Sequence, residues 1–152
     1  IDGIGDTFEY IRHPANWNDV NSKLQKLSDV QTAQLVTSIT FTLQAYNILE
    51  IKNMVELAKQ YNFHINVIPL DTPAYLDVRN VPQDLKDEAL RQVNTLRELD
   101  NKKFSKFLKD VKNKINQPRQ ADITDEFLKV TRLKDTYKKQ SFDTMEIGQY
   151  YD

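Results

Sequence analysis

The run Gln34-Leu35-Val36-Thr37-Ser38-Ile39-Thr40-Phe41-Thr42-Leu43 decides the fold. It is crowded with β-branched and aromatic side chains, which fit a pleated, half-buried surface better than a helix. Alternation sorts it into two unlike faces. Leu35, Thr37, Ile39, Phe41 and Leu43 share one, and Val36, Ser38, Thr40 and Thr42 share the other. Greasy residues on one side and mostly small, hydroxylated ones on the other suit a barrel strand. The large residues lie under outer helices, and the small ones face an interior that holds a ligand.

A helix is expected next. Asn47 can cap it, and Ile48, Ile51, Val55 and Ala58 form its apolar stripe, with Met54 and Tyr61 beside them. Asn62 is a natural breaker at its end. His64 to Leu70 then reads as a second strand through Ile65, Val67 and Ile68, stopped by Pro69 and Pro73. Strand, helix and strand with short links make a right-handed βαβ unit, whose two strands run parallel.

On the N-terminal side, Asn16 caps a helix in which Trp17, Val20, Leu24 and Leu27 recur at three- and four-residue spacing. Ser28 and Asp29 end it. Ahead of it, Ile1-Asp2-Gly3-Ile4-Gly5 reads as the end of a buried strand. A short polar loop then delivers Tyr10, Ile11 and Arg12, and Pro14 closes it. Two of the chain's three glycines fall in this opening, where the lack of a Cβ lets backbone approach a ligand closely. Asp2, at the chain's end, is expected to be mobile. The order is strand end, helix, strand, helix, strand.

Past Pro73 the character changes. Pro82 starts a helix with Leu85, Ala89, Val93 and Leu96 down one side. A further helix is expected from Leu99 to Ile115, with Phe104, Phe107 or Leu108, Val111 and Ile115 inward. Gln117 to Gln120 breaks it. Asp122 or Thr124 caps a last helix running through Phe127, Val130, Leu133 and Tyr137. Ser141 to Asp152 reads as irregular and frayed. The chain thus divides into an α/β part, residues 1–72, and a helical C-terminal extension, residues 73–152.

Composition narrows the function. With 152 residues the chain can bury a sizeable core. A formal charge of -1 offers no global attraction to nucleic acid or anionic lipid. No apolar run approaches spanning length and no leader pattern opens the chain, so no membrane role and a cytoplasmic location are expected. There is no cysteine, which removes disulfides, thiolate nucleophiles and iron–sulfur ligation by this chain. His13 and His64 stand apart from any group at metal-ligand spacing, so no metal site is expected.

The opening also carries a resemblance. Asp2 and Gly3, with Arg12 downstream, resemble the Ser-Ile-Asp-Gly segment of radical S-adenosylmethionine enzymes of the SPASM or twitch branch. In that family the segment ends the fourth barrel strand, and an arginine follows at the place that Arg12 holds here. The serine would precede Ile1. Thr37–Leu43 with Gln44 and Asn47 looks like the fifth strand and its helix, and Val67-Ile68-Pro69-Leu70 like the sixth strand. Tyr75 to Pro82 is similar to the link into twitch-type helices.

The resemblance implies half of a partial TIM-type barrel, a short parallel β-α-β-α-β sheet followed by C-terminal helices. It implies a parent enzyme using S-adenosylmethionine and a [4Fe–4S] cluster, acting on a peptide or other large substrate. The cysteine loop that holds the cluster would lie upstream, so this chain alone is expected to bind no cofactor productively and to have no catalytic residue of its own. Carried over residue by residue, Arg12 would pair with the methionyl carboxylate. Asp2 and Gly3 would shape the pocket under the ribose, and Leu70 would pack on the adenine. Gln44 and Asp71 would face the substrate.

Other readings stand beside this one. Arg12 can equally be a surface arginine paired with Glu9 or Asp6. Asp71 and Asp77 can be turn formers rather than acid or base groups. The chain can be a free-standing α/β interaction module, or a nucleic-acid-binding domain that uses the Lys102–Lys114 helix. Asp100, Asp110 and the acidic residues of 84–88 balance that helix's charge, which argues for a docked stripe with its lysines in water. A three-strand piece of parallel sheet leaves faces and edges open. Either the C-terminal helices fold back over the inner face, or two copies pair into a homo-oligomer.

Overall fold

The structure, a computed structural model, describes residues 1–99 and 102–151. Six α-helices and a short parallel strand pair make a mixed α/β fold. In chain order these are α1 (Gly5–Arg12), α2 (Trp17–Asp29), β1 (Ser38–Leu43), α3 (Ile51–Gln60), β2 (His64–Pro69), α4 (Gln83–Leu99), α5 (Ser105–Ile115) and α6 (Thr124–Lys138). Single 3₁₀ turns link several of them.

β1 and β2 pair in parallel, with Ser38 beside His64 and Leu43 beside Pro69. Ile1 lies against the other edge of β1. Its N donates to the Thr40 carbonyl at 2.6 Å, and its carbonyl accepts from Thr42 N at 3.2 Å. One residue bonded to positions two apart on its neighbour is the parallel pattern. The extended order is therefore Ile1, β1, β2, all in one direction.

The two sheet faces differ as the alternation requires. Ile39, Phe41, Leu43 and Ile65 are buried beneath helices. α3 and α5 pack along β2, and the Phe107 ring of α5 lies 6.2 Å from that of Phe41. α4 packs on α3 and α5 through Leu85, Ala89, Val93 and Leu96, all buried as their spacing predicts. The opposite face carries Ser38, Thr40, Thr42, His64, Asn66 and Ile68. Ser38, His64, Asn66 and Ile68 are exposed, and Asn66 donates across the strands to Ser38.

Several boundaries differ from expectation. The opening is a helix, not a loop. Ile4 and Ile11 pack against the core, Phe8 between them is buried beside Trp17 with ring centroids 5.5 Å apart, and Phe8 N closes the first turn on the Ile4 carbonyl. β1 begins at Ser38 rather than Gln34, because Thr32 and Leu35 bond to each other in a tight turn that leaves Leu35 and Val36 exposed. α2 matches, and the Asn16 side chain accepts from Asn18 N and Asp19 N. Asn62 takes a left-handed φ of 53°, as a breaker should.

The expected Leu99–Ile115 helix is two pieces. Leu99 ends α4 and α5 starts at Ser105, while Asp100 and Asn101 lie outside the described residues. The tail is not frayed up to Tyr151, and Asp152 lies outside the described residues. Phe142, Met145 and Ile147 are buried, and the Tyr151 ring stacks on Phe127 with centroids 4.4 Å apart. Such aromatic stacking fixes an otherwise short and irregular segment. Among the described residues, no helix is long and apolar enough to cross a membrane.

Candidate functional site

A cavity of about 280 Å³ opens at the carboxyl end of the parallel strands. That is where open α/β sheets and barrels place their ligands, because the chain leaves each strand there as a loop free to carry function. Thr42 reaches it from the hydroxylated face of β1, and Gln44 and Tyr46 from the turn that follows. Leu70 comes from the end of β2, and Leu76 from the next turn. Asp2 and the last turn of α1, residues 10–12, form one wall. Lys134, Lys138 and Gln140 close the side opposite.

Asn47 ties these pieces together. It was expected to cap α3, but it is fully buried three residues ahead of the helix's flanking Glu50. Its amide donates to the carbonyls of Asp2 and Thr42, both at 2.8 Å, and its oxygen accepts from Gln44 N at 2.8 Å. One side chain thereby holds the opening segment, the end of β1 and the next loop in register. A capping asparagine and a buried cross-linking one look alike in sequence, since both are polar residues before an apolar stripe.

Asp2 is not mobile. It is fully buried, and one carboxylate oxygen accepts from Arg12 Nε. Its other oxygen, Oδ1, is buried with no donor among the described residues. Arg12 therefore pairs with neither Glu9 nor Asp6. Glu9 instead accepts from Trp17 N at 2.7 Å and from Asn16, joining α1 to α2. The Nη groups of Arg12 have no partner among the described residues, and the side chain is 58% exposed at the cavity rim.

Two expected site residues lie elsewhere. Gly3 faces Thr7 and Glu50 and does not line the cavity. Its φ of +139° and a Cβ position only 3.0 Å from Thr7 Cγ2 explain why glycine stands there. Glu50 accepts from Ile4 N and Thr7 Oγ1, and burial pushes its carboxyl up even though those hydrogen bonds pull the other way. Asp71 is exposed and pairs with Lys114 and Arg79 rather than facing the cavity. Asp77 is the buried centre of that ion cluster. Burial works to raise it, but hydrogen bonds from the Arg79 side chain and backbone, with Lys114 nearby, outweigh burial and hold it below its ordinary value. It also caps the 3₁₀ turn Val78–Asn80, so it acts as a turn former.

Among the cavity residues missed from sequence are Tyr10, Tyr46, Lys134, Lys138 and Gln140. Tyr10 Oη donates to Asp135, and Tyr46 Oη meets Thr131 Oγ1 at 2.7 Å. Burial raises both phenols, Tyr46 to about 12, so both stay protonated. Lys134 Nζ sits over the Tyr46 and Tyr75 rings, 5.4 and 5.5 Å from their centroids. Burial and the neighbouring Lys138 lower its pKa. The inward face of α6 is Phe127, Thr131, Lys134 and Lys138, whereas Leu133 and Tyr137, expected inside, are exposed. The three- and four-residue spacing from Phe127 was the available signal. Lysines on that line read as solvent-facing, so the apolar residues drew the stripe a third of a turn away.

The phenols are protonated and engaged, and no group of three metal-ligating side chains exists among the described residues. In the Lys102–Lys114 stretch the helix is α5, which begins at Ser105 and is docked by Phe107, Leu108, Val111 and Ile115. Lys106 pairs with Asp110, Lys112 with Asn94, and Lys114 is buried against Asp71 and Asp77. Fold and site together define a mixed α/β chain with a cation-rich cavity at the carboxyl end of parallel strands. No family model, no curated protein and no solved structure matches the chain.

Proposed function

We propose that the chain is a wall segment of a radical S-adenosylmethionine partial barrel, carrying part of the cofactor and substrate pocket and inert in catalysis by itself. One observation carries this reading. Asp2, Arg12, Gln44 and Leu70, four residues singled out from sequence by their place in that family, line one cavity at the carboxyl end of parallel strands. Their separation along the chain, from position 2 to position 70, makes such convergence a property of topology rather than of neighbouring sequence.

Two further features support it. Ile1, β1 and β2 run parallel in the order expected for strands four, five and six. The sheet face lined by Ser38, Thr40 and Thr42 has the small hydroxylated character of a barrel interior. The outer edge of β2 pairs with no further strand among the described residues, which suits continuation of the sheet by other strands or by a second copy.

S-adenosylmethionine added to the chain tests the reading. With most of the pocket absent, binding in the range of about millimolar is expected. Amide resonances of Arg12, Gln44 and Leu70 move together in a ¹⁵N–¹H titration, and Arg12→Ala abolishes the movement. Submicromolar affinity, or a response of these amides that Arg12→Ala leaves unchanged, contradicts it.

A further inference from the structure

We infer that the cavity binds a small organic anion that also carries a hydrogen-bond donor, with Lys134 and Lys138 of α6 as its anion-holding groups. The site shares the cavity, Asp2 and Arg12 with the barrel-wall reading and adds Lys134 and Lys138 of α6, to which that reading assigns no role. The two ideas fail in different experiments.

Charge comes first. One carboxylate, Asp2, faces three cations, Arg12, Lys134 and Lys138, around the same space. Neither lysine has an ion-pair partner among the described residues, and the nearest acid on α6, Asp135, is already engaged by Tyr10 Oη and Phe142 N. Lys134 is partly buried between two tyrosine rings, so its ammonium has lost water without gaining a carboxylate. A cation in that state is held ready for an anionic partner, since a charge-assisted bond formed away from water is among the stronger ones available.

Unfilled acceptors come second. Asp2 Oδ1 and Gln140 Oε1 are both buried without a donor, and both residues border the cavity. Buried acceptors are nearly always satisfied, and both oxygens are sealed from solvent, so a donor from the cavity reaches them through a small shift of the wall. A ligand hydroxyl or ammonium supplies it, while its carboxylate or phosphate meets Lys134, Lys138 and the free Nη groups of Arg12. The volume of about 280 Å³ lies at the small end of ligand pockets, which suits an amino acid or a sugar phosphate.

The test titrates the full chain with L-glutamate, with glycerol 3-phosphate and with sulfate, followed by ¹⁵N–¹H correlation spectra. At least one of the two organic anions is expected to move the amides of Arg12, Gln44 and residues 134–140. The tighter of the two identifies ammonium or hydroxyl as the donor. Sulfate, which has no donor, is expected to bind about tenfold or more weakly. Lys138→Gln, at the end of α6 where folding is least at stake, weakens the organic anion about tenfold, and Lys138→Arg restores it. Absence of binding by both organic anions, equal binding by sulfate, or indifference to Lys138→Gln each overturns the inference.

Discussion

The two faces of the parallel pair are built from alternate residues of the same strands, yet they do different work. Ile39, Phe41 and Leu43 are sealed under α3 and α5 and supply stability. Ser38, Thr40 and Thr42, one step away along the chain, share the other face, and Thr42 lines the cavity. Parallel sheets ordinarily bury both faces. Here the second face is half-buried at Thr40 and Thr42 and exposed at Ser38, His64, Asn66 and Ile68.

The contrast can be broken most forcefully at Phe41. Its ring is fully buried, so Phe41→Ala is expected to cost about 3–5 kcal/mol in urea denaturation. Asn47→Ala comes next. It leaves the carbonyls of Asp2 and Thr42 and the Gln44 N–H without their buried partner, for a loss of about 3 kcal/mol and a disordered cavity wall in amide spectra. Gly3→Ala is expected to cost about 1–3 kcal/mol, from its positive φ and the squeeze on Thr7.

The ion cluster around Asp77 sharpens the comparison through pH. A carboxyl held below its ordinary value contributes stability that is present above its unfolded pKa and is lost as pH falls through its folded one. Denaturation midpoints should therefore drop below about pH 4, and Asp77→Asn should flatten that limb. At the small end lies Thr40→Ala on the second face, expected to change stability by about 0.5 kcal/mol or less. A loss there as large as that of Phe41→Ala would erase the distinction between the faces.

What was legible in sequence was whatever periodicity controls. The Ile39–Phe41–Leu43 alternation, the stripe of α4 and the Asn16 cap could be read directly, because local spacing dictates them. The parallel pairing of β1 and β2 followed from the short links of a βαβ unit. What could not be read were choices made by tertiary partners. Gly5 made the opening look like a loop, although Ile4 and Ile11 had a core to face. Tyr151 looked like a frayed end until Phe127 gave it a ring to stack on.

The cavity divides in the same way. Asp2, Arg12, Gln44 and Leu70 were accessible through their order and their likeness to a known pattern. Lys134 and Lys138 were not, because a lysine pointing inward is readable only once the tyrosines beneath it are placed. Asp71 was drawn away by Lys114 and Arg79, cations that lie far from it in sequence.

The measurement that bears most directly on the wall-segment account is the coding sequence immediately upstream of Ile1. The account expects a serine codon directly before Ile1 and, further up in the same frame, a CxxxCxxC loop following a strand. A different residue before Ile1, or an open frame extending upstream with no such cysteine loop, contradicts it.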